Sequence, residues 1–246
     1  MKSTRFIISI TAVAALSAIS GAQAIFDQLG TGSGVDVNGF ASQNIPDFAP
    51  NYNIMALEDI TTTSAYKLTS IDMVGFFYNT ATPDPANITG WQFAVFSNAV
   101  GNGGTTDTSN TGDVLNGTFA SGAVTVTANF NGVTGNYLFH LDLSSANMTL
   151  AAGTYWFGMA ADLPFGTGGQ LAVAGNTMSD ASSGALNARQ MNGGGGFAIT
   201  GNNAATDPAA NLSYRLNGAP VPEPASMAAL GLGALALIRK RRNRKA

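Results

Sequence analysis

Apolar and polar residues alternate with a period of two along several parts of the chain. The alternating segments are residues 91–97, 124–127, 137–143 and 212–216. This period is typical of strands with one buried face. Residues 71–78, with 66–69 leading into them, and residues 154–160 are apolar on both faces, which predicts covered central strands. With no strong helical period, the body is predicted to be an all-β, two-sheet antiparallel sandwich with jelly-roll-like connections.

The alternation also assigns individual side chains to faces. Tyr137, Phe139, Leu141 and Leu143 are predicted to point into the core, and His140 to point out. Turns are predicted at residues 82–85, 131–132, 151–153 and 217–218, where Gly, Pro or Asn interrupt the pattern. Long loops rich in Gly and Asn are predicted at residues 98–113, 166–189 and 192–210.

The N-terminal residues have the order of a secretory signal peptide. Lys2 and Arg5 give a cationic start, and an apolar run over residues 6–19 follows. Ala22 and Ala24 then form an Ala-x-Ala site for signal peptidase. We therefore predict a signal helix within residues 1–24, cleavage after Ala24, and a β-sandwich domain over residues 25–219.

The charge of the body differs from that of the whole chain. Between residues 25 and 220 only Lys67, Arg189 and Arg215 are basic, against thirteen acidic residues, which gives a net charge of −10. Nucleic-acid binding requires Lys and Arg that neutralise phosphates, so it is not expected. The chain has no cysteine, and the folded body therefore depends on its apolar core alone.

Candidate catalytic residues are few. His140 is the only histidine, and Asp142 is predicted beside it on the same strand face, where the pair could orient a general base. No nucleophile or set of metal ligands accompanies the pair, which favours a solvated histidine. Glu58 and Asp59 are adjacent in sequence and would point to opposite faces of a strand, which makes them poor candidates for a hydrolase pair.

The sequence leaves two kinds of ligand possible, a calcium ion and a sugar. Asp107 and Asp113 bracket a loop with a faint likeness to a calcium site, but its charge suits only weak extracellular binding, and an Asx-turn loop is the favoured interpretation. No other cofactor is expected. Trp91, Tyr155 and Trp156 could stack on sugar rings if exposed, although core packing is the favoured interpretation for all three.

The tail has three parts in order at the C-terminus. Val221, Pro222, Glu223 and Pro224 come first, an apolar run over residues 225–238 follows, and a cluster that includes Arg239, Lys240, Arg241 and Arg242 comes last. This arrangement resembles the PEP-CTERM sorting signal of Gram-negative bacteria, also called an ice-binding protein C-terminal domain. The resemblance implies that residues 220–246 hold a short transmembrane helix and are processed by a membrane-embedded exosortase. The basic cluster would stay cytoplasmic and stop the chain in the inner membrane.

The body is similar to β-sandwich modules of secreted bacterial proteins, through residues 57–79, 91–98 and 143–159. Those modules mostly lack an assigned activity, so the similarity implies a fold and no substrate. We expect a non-enzymatic protein, exported by way of an inner-membrane intermediate to the cell surface or extracellular matrix, where it works with exopolysaccharide in a biofilm. The alternatives are a carbohydrate-binding module and an extracellular hydrolase.

Overall fold

The computed structural model describes residues 21–29, 35–47, 53–98, 112–176, 188–192, 197–201, 211–222 and 233. Residues 1–20 of the predicted signal segment lie outside these residues, and so does the predicted apolar helix of the tail apart from residue 233. In the described part of the chain, no helix is both long enough and apolar enough to cross a membrane.

Strands dominate these residues. They are β1 (Gln23–Asp27), β2 (Val35–Ala41), β3 (Gln43–Asn44), β4 (Asn53–Thr62), β5 (Tyr66–Tyr78), β6 (Gly90–Ser97), β7 (Leu115–Ala120), β8 (Val124–Ala128), β9 (Asn136–Asp142), β10 (Thr149–Leu150), β11 (Gly153–Asp162), β12 (Gln170–Asn176), β13 (Arg189–Asn192), β14 (Phe197–Gly201), β15 (Asn211–Leu212) and β16 (Tyr214–Pro220). Short helical turns are the α-helical turn α1 (Phe165–Gly168) and the 3-10 turns Pro85–Asn87, Ser121–Ala123, Phe130–Gly132 and Ser144–Ala146.

The strands form two sheets. In the described residues, the larger sheet contains nine strands and is organised around β5, which pairs with β9, β10, β12 and β16. The smaller sheet contains seven strands, and its centre is β11, which pairs with β4 and β6. Pairing is antiparallel except for a two-residue parallel contact between β3 and β11. The predicted all-β architecture with two antiparallel sheets is confirmed, whereas the jelly-roll-like connectivity stays a prediction.

The two sheets pack face to face around one apolar core. Phe139 of the larger sheet contacts Trp91 of the smaller sheet with ring centroids 5.1 Å apart. Phe26 contacts Phe157 across the same core at 5.2 Å. These four side chains are at most 1% exposed, and burial of such large apolar surfaces is the main stabilising term in a fold without disulfides.

Several strand predictions are confirmed. Phe139, Leu141 and Leu143 are buried in the core, while Asp142 is exposed. β11 is covered on both faces, since Phe157 packs between the sheets and Trp156 is buried in a separate apolar cluster on the opposite face. The period-two pattern identifies β9 because one face of this strand is continuously buried, and the apolar run identifies β11 because both of its faces are buried.

Other local predictions are wrong. Residues 212–216 are not one strand, because Ser213 separates β15, which pairs with β12, from β16, which pairs with β5, and Ser213 is buried instead of facing outward. Residues 217–218 do not form a turn but continue β16, and the register shift opposite them leaves Thr69 of β5 as the extra residue of a bulge. The bulge adds its extra residue to β5, so β16 continues through Gly218, which stays paired with Leu68. The Gly-rich residues 166–189 include β12, which pairs with β5.

Candidate functional site

The predicted sorting motif begins where the folded body ends. β16 runs to Pro220, which lies opposite Tyr66 of β5. The backbone N–H of Val221 then donates a hydrogen bond to the carbonyl of Ala65, with N and O 2.9 Å apart. Val221 is 37% exposed, and Pro222 is also exposed. No spacer therefore separates the last strand from the motif, and its first residues are accessible with the body fully folded.

Apart from Gly233, the rest of the tail lies outside the described residues. This applies to Glu223 and Pro224 of the motif, and to the predicted membrane stop formed by Arg239, Lys240, Arg241 and Arg242.

The predicted signal-cleavage site lies next to the same strand. Ala22 is exposed before β1, and Ala24 lies within β1, opposite Asn217 of β16. Cleavage after Ala24 would shorten β1 but leave Phe26, which is 1% exposed and packed against Phe157. The start of β1 and the end of β16 thus lie side by side, since the two strands are antiparallel.

A polar ladder crosses the outer face of the larger sheet. It consists of Thr125, His140, Asp72, Arg215 and Asp27, which lie opposite one another on neighbouring strands β8, β9, β5, β16 and β1. Asp72 is at the centre of the ladder and is only 2% exposed. Two signals for this ladder are present in the sequence: Asp72 interrupts an apolar strand, and Arg215 is one of only three basic residues in the body. Sequence reasoning missed both signals.

The carboxylate of Asp72 is held by three donors. Its Oδ1 lies 2.6 Å from Nδ1 of His140, and its Oδ2 accepts a hydrogen bond from Nε of Arg215 at 2.8 Å. Nδ2 of Asn217 lies 3.4 Å from the same Oδ2. A buried carboxylate is tolerated only when it is paired and hydrogen-bonded, and these contacts meet that requirement.

His140 pairs with Asp72 and not with Asp142, the neighbour that the sequence offered as a disfavoured alternative. His140 does face outward and is 45% exposed, but its partner is Asp72 on the neighbouring strand. Asp142 instead accepts the backbone N–H of Ser144 at 2.8 Å, and this hydrogen bond is the main reason that the pKa of Asp142 is lowered. Adjacent strands place cross-strand neighbours closer than i and i+2 residues, and strand pairing cannot be read from one strand's sequence.

We expect the substitution Asp72→Asn to lower the free energy of unfolding by about 2–3 kcal/mol, since an amide cannot accept hydrogen bonds from both flanking donors. His140→Ala should cost no more than about 1 kcal/mol, because it leaves Asp72 with Arg215 and Asn217 and removes a side chain that is half exposed. Denaturant titration of both variants measures the difference. Equal losses would show that Asp72 is not the centre of the ladder.

Glu58 and Asp59 do not form a catalytic pair. Both are buried, and they point to opposite faces of β4, as their adjacency in sequence predicted. Oε2 of Glu58 accepts the backbone N–H of Leu212 at 2.6 Å, which ties the smaller sheet to the larger one. Tyr214 makes a second tie of this kind, since its hydroxyl donates to the carbonyl of Ala56 at 3.0 Å. These two buried hydrogen bonds hold the two sheets against each other.

Burial raises the pKa of Tyr214 well above its usual value of 10, and the nearby Glu58 adds to this effect. The raised pKa means that the neutral phenol is favoured in the folded state. Its contribution to stability is therefore fully present below about pH 10 and is lost as the pH rises through the folded-state pKa.

For this reason we expect the wild-type unfolding midpoint to fall steeply above about pH 10. Tyr214→Phe should flatten that fall while lowering stability by about 1–2 kcal/mol at neutral pH, because the Ala56 carbonyl loses its donor. Denaturant titrations from neutral pH to about one pH unit above the ordinary tyrosine pKa test both effects. An unchanged alkaline slope in the variant would assign the pH dependence to another group.

The residues that the sequence offered for calcium or sugar binding are engaged in contacts within the folded body, where the structure describes them. Asp113 accepts the backbone N–H of Ser97 at 2.6 Å, as in a loop closed by its own aspartate, and Asp107 lies outside the described residues. In the part of the chain that is described, no three His, Cys, Asp or Glu side chains are grouped so as to hold a metal ion. Trp91 and Trp156 are buried, and Tyr155 is partly buried against the core.

Comparison with known protein families identifies a motif in the tail. No curated protein matches the chain. A family model described as the PEP-CTERM protein-sorting motif matches residues 220–242. The match starts at the last residue of β16 and contains the exposed Val221 and Pro222, the apolar run and the first four basic residues after it. The chain therefore carries a PEP-CTERM protein-sorting motif behind a β-sandwich body, which indicates an exported protein that is sorted through its tail and processed by exosortase, a membrane protein.

Proposed function

We propose that this protein is a non-enzymatic component of the cell surface or extracellular matrix, associated with the exopolysaccharide of a biofilm. The observation that carries the proposal is the position of the sorting motif, directly after β16 and accessible in the folded body. An exosortase can then process the tail without unfolding the sandwich, and the body is released intact to the outside. A β-sandwich body with such a tail suggests a non-catalytic secreted protein.

Export would proceed through an inner-membrane intermediate. Signal peptidase would act after Ala24 before β1 pairs with β16, because the site lies inside β1 once the body is folded. The apolar run and the basic cluster that ends the tail would hold the precursor in the membrane until the exosortase acts.

The proposal is tested by fractionating cells with and without the exosortase, followed by mass spectrometry of both ends of the protein. With the enzyme, we expect the mature chain to begin at Ile25 and to end near Pro222 to Pro224, outside the inner membrane. Without the enzyme, the chain should keep Ala246 and stay with the membrane. The same intact tail in both strains would refute sorting.

The matrix role has its own test. The mature protein should sediment with exopolysaccharide isolated from the producing cells and remain in solution when the polysaccharide has been digested. Recovery in solution under both conditions would refute the association. The carbohydrate-binding alternative has less support, since Trp91 and Trp156 are buried and present no ring face to a sugar.

A further inference from the structure

Strand β8 forms an open edge of the larger sheet. In the described residues it pairs with β9 alone. Four consecutive residues of β8, from Thr125 to Ala128, are exposed. When consecutive strand residues are all exposed, both faces of the strand and its free edge are accessible, and such an edge offers unpaired N–H and C=O groups to another strand.

One face of β8 extends beyond the cover of the smaller sheet. Val124 and Val126 point to the core side, but Val124 is 9% exposed whereas Val126 is 39% exposed. Val126 lies opposite the fully buried Phe139 of β9. The apolar face of the larger sheet therefore continues past the core and ends at an uncovered valine.

Apart from its short length of five residues, β8 lacks the devices that usually protect an edge strand. It has no charged residue, no proline and no bulge in its pairing with β9. Residues 114–139 contain no charged residue at all, although the body between residues 25 and 220 has a net charge of −10. A second copy can therefore approach this edge without meeting a charged side chain of β8 itself.

We propose that β8 pairs in antiparallel fashion with β8 of a second copy, with a two-fold axis at Val126. All five residues of each strand then take part. Thr125 lies opposite Thr127 of the second copy on the outer face, and the two Val126 side chains meet on the core side and cover one another. Threonine pairs and apolar pairs are both favourable across antiparallel strands. The two-fold axis closes the assembly as a dimer.

A second copy fits better than a different partner because the pairing is self-complementary and uncharged. A short strand of this kind buries far less than the roughly 1,000 Å² of a stable interface, so association in dilute solution should be weak. Tethering of the unprocessed chain in the membrane, or confinement in a matrix, raises the effective concentration at which the edges meet.

Single cysteines give a direct test, because the wild-type chain contains none. Val126→Cys places two thiols opposite each other at the proposed axis, where paired strands hold Cα atoms about 4.5–5.5 Å apart, within disulfide range. Val114→Cys is the matched control, since Val114 is 36% exposed and precedes β7 instead of lying in β8. The full chains are exported, oxidised with copper phenanthroline in intact cells and run on a non-reducing gel.

The expected result is a disulfide-linked dimer for Val126→Cys and a monomer for Val114→Cys. Equal cross-linking of the two variants would indicate random collision and overturn the proposal. A monomer in both variants would overturn it as well, and so would a link from the thiol introduced at position 126 to a different protein.

Val126→Lys supplies a second measurement, because like charges would then face each other at the axis. At protein concentrations high enough for the wild-type chain to dimerise, sedimentation velocity should show loss of the dimer in Val126→Lys and no change for Val114→Lys. A dimer that persists in Val126→Lys with wild-type concentration dependence would place the contact between copies somewhere other than β8.

Discussion

Replacing Pro222, Glu223 and Pro224 together with alanine is expected to abolish processing of the tail while the protein stays membrane-bound. The substitution leaves the apolar run over residues 225–238 and the basic cluster intact, and membrane insertion depends on those two features. It also leaves the body untouched, because the described fold ends with the hydrogen bond from Val221 to Ala65. The measurement is the mass of the C-terminal peptide and the fraction of protein at the surface, in a host with the exosortase.

The matched variant neutralises Arg239, Lys240, Arg241 and Arg242 and keeps the three motif residues. Here the short apolar segment loses its cytoplasmic charge, so unprocessed chain should appear as soluble exported protein. A plain membrane anchor would lose its membrane retention when the basic residues are neutralised. It would be unaffected by the alanine replacement of the motif. If the alanine variant has the same mature mass and the same surface yield as the wild type, the sorting hypothesis fails and the tail is a plain membrane anchor.

Phe139→Ala is expected to lower the free energy of unfolding by about 3–5 kcal/mol. Phe139 is fully buried, with its ring 5.1 Å from that of Trp91 and 6.4 Å from that of Phe77. Truncation removes this apolar surface and leaves a cavity between the sheets, which the two neighbouring rings can fill only in part. The measurement is the midpoint of a denaturant titration, with near-UV circular dichroism as a check on aromatic packing.

Val114→Ala is the control, because Val114 is 36% exposed and its truncation should change the free energy of unfolding by no more than about 0.5 kcal/mol. If Phe139→Ala behaved like this control, Phe139 would face solvent, and the register of β9 against β5 would be wrong by one residue.

The strands that the sequence predicts well are those with a regular apolar face. β6, β9 and β11 have a large apolar residue at every second position over most of their length, and this local pattern is sufficient because it reflects burial against one neighbouring sheet. The pattern does not predict β4, since Glu58 and Asp59 break its apolar run. Both carboxylates are nevertheless buried, and for Glu58 the reason is a hydrogen bond from Leu212 of the other sheet.

The all-β class, the outward face of His140 and the sorting motif of the tail can all be obtained from the sequence alone. Each of these depends on residues that are close in the chain: a period of two, or a short motif followed by an apolar run and basic residues. The partner of His140, the two polar ties between the sheets and the open edge at β8 become visible only in the assembled sandwich. These features depend on strand order and register, which join residues as far apart as Asp72 and Arg215. No local pattern encodes that pairing, because it is set by the packing of the two sheets as a whole.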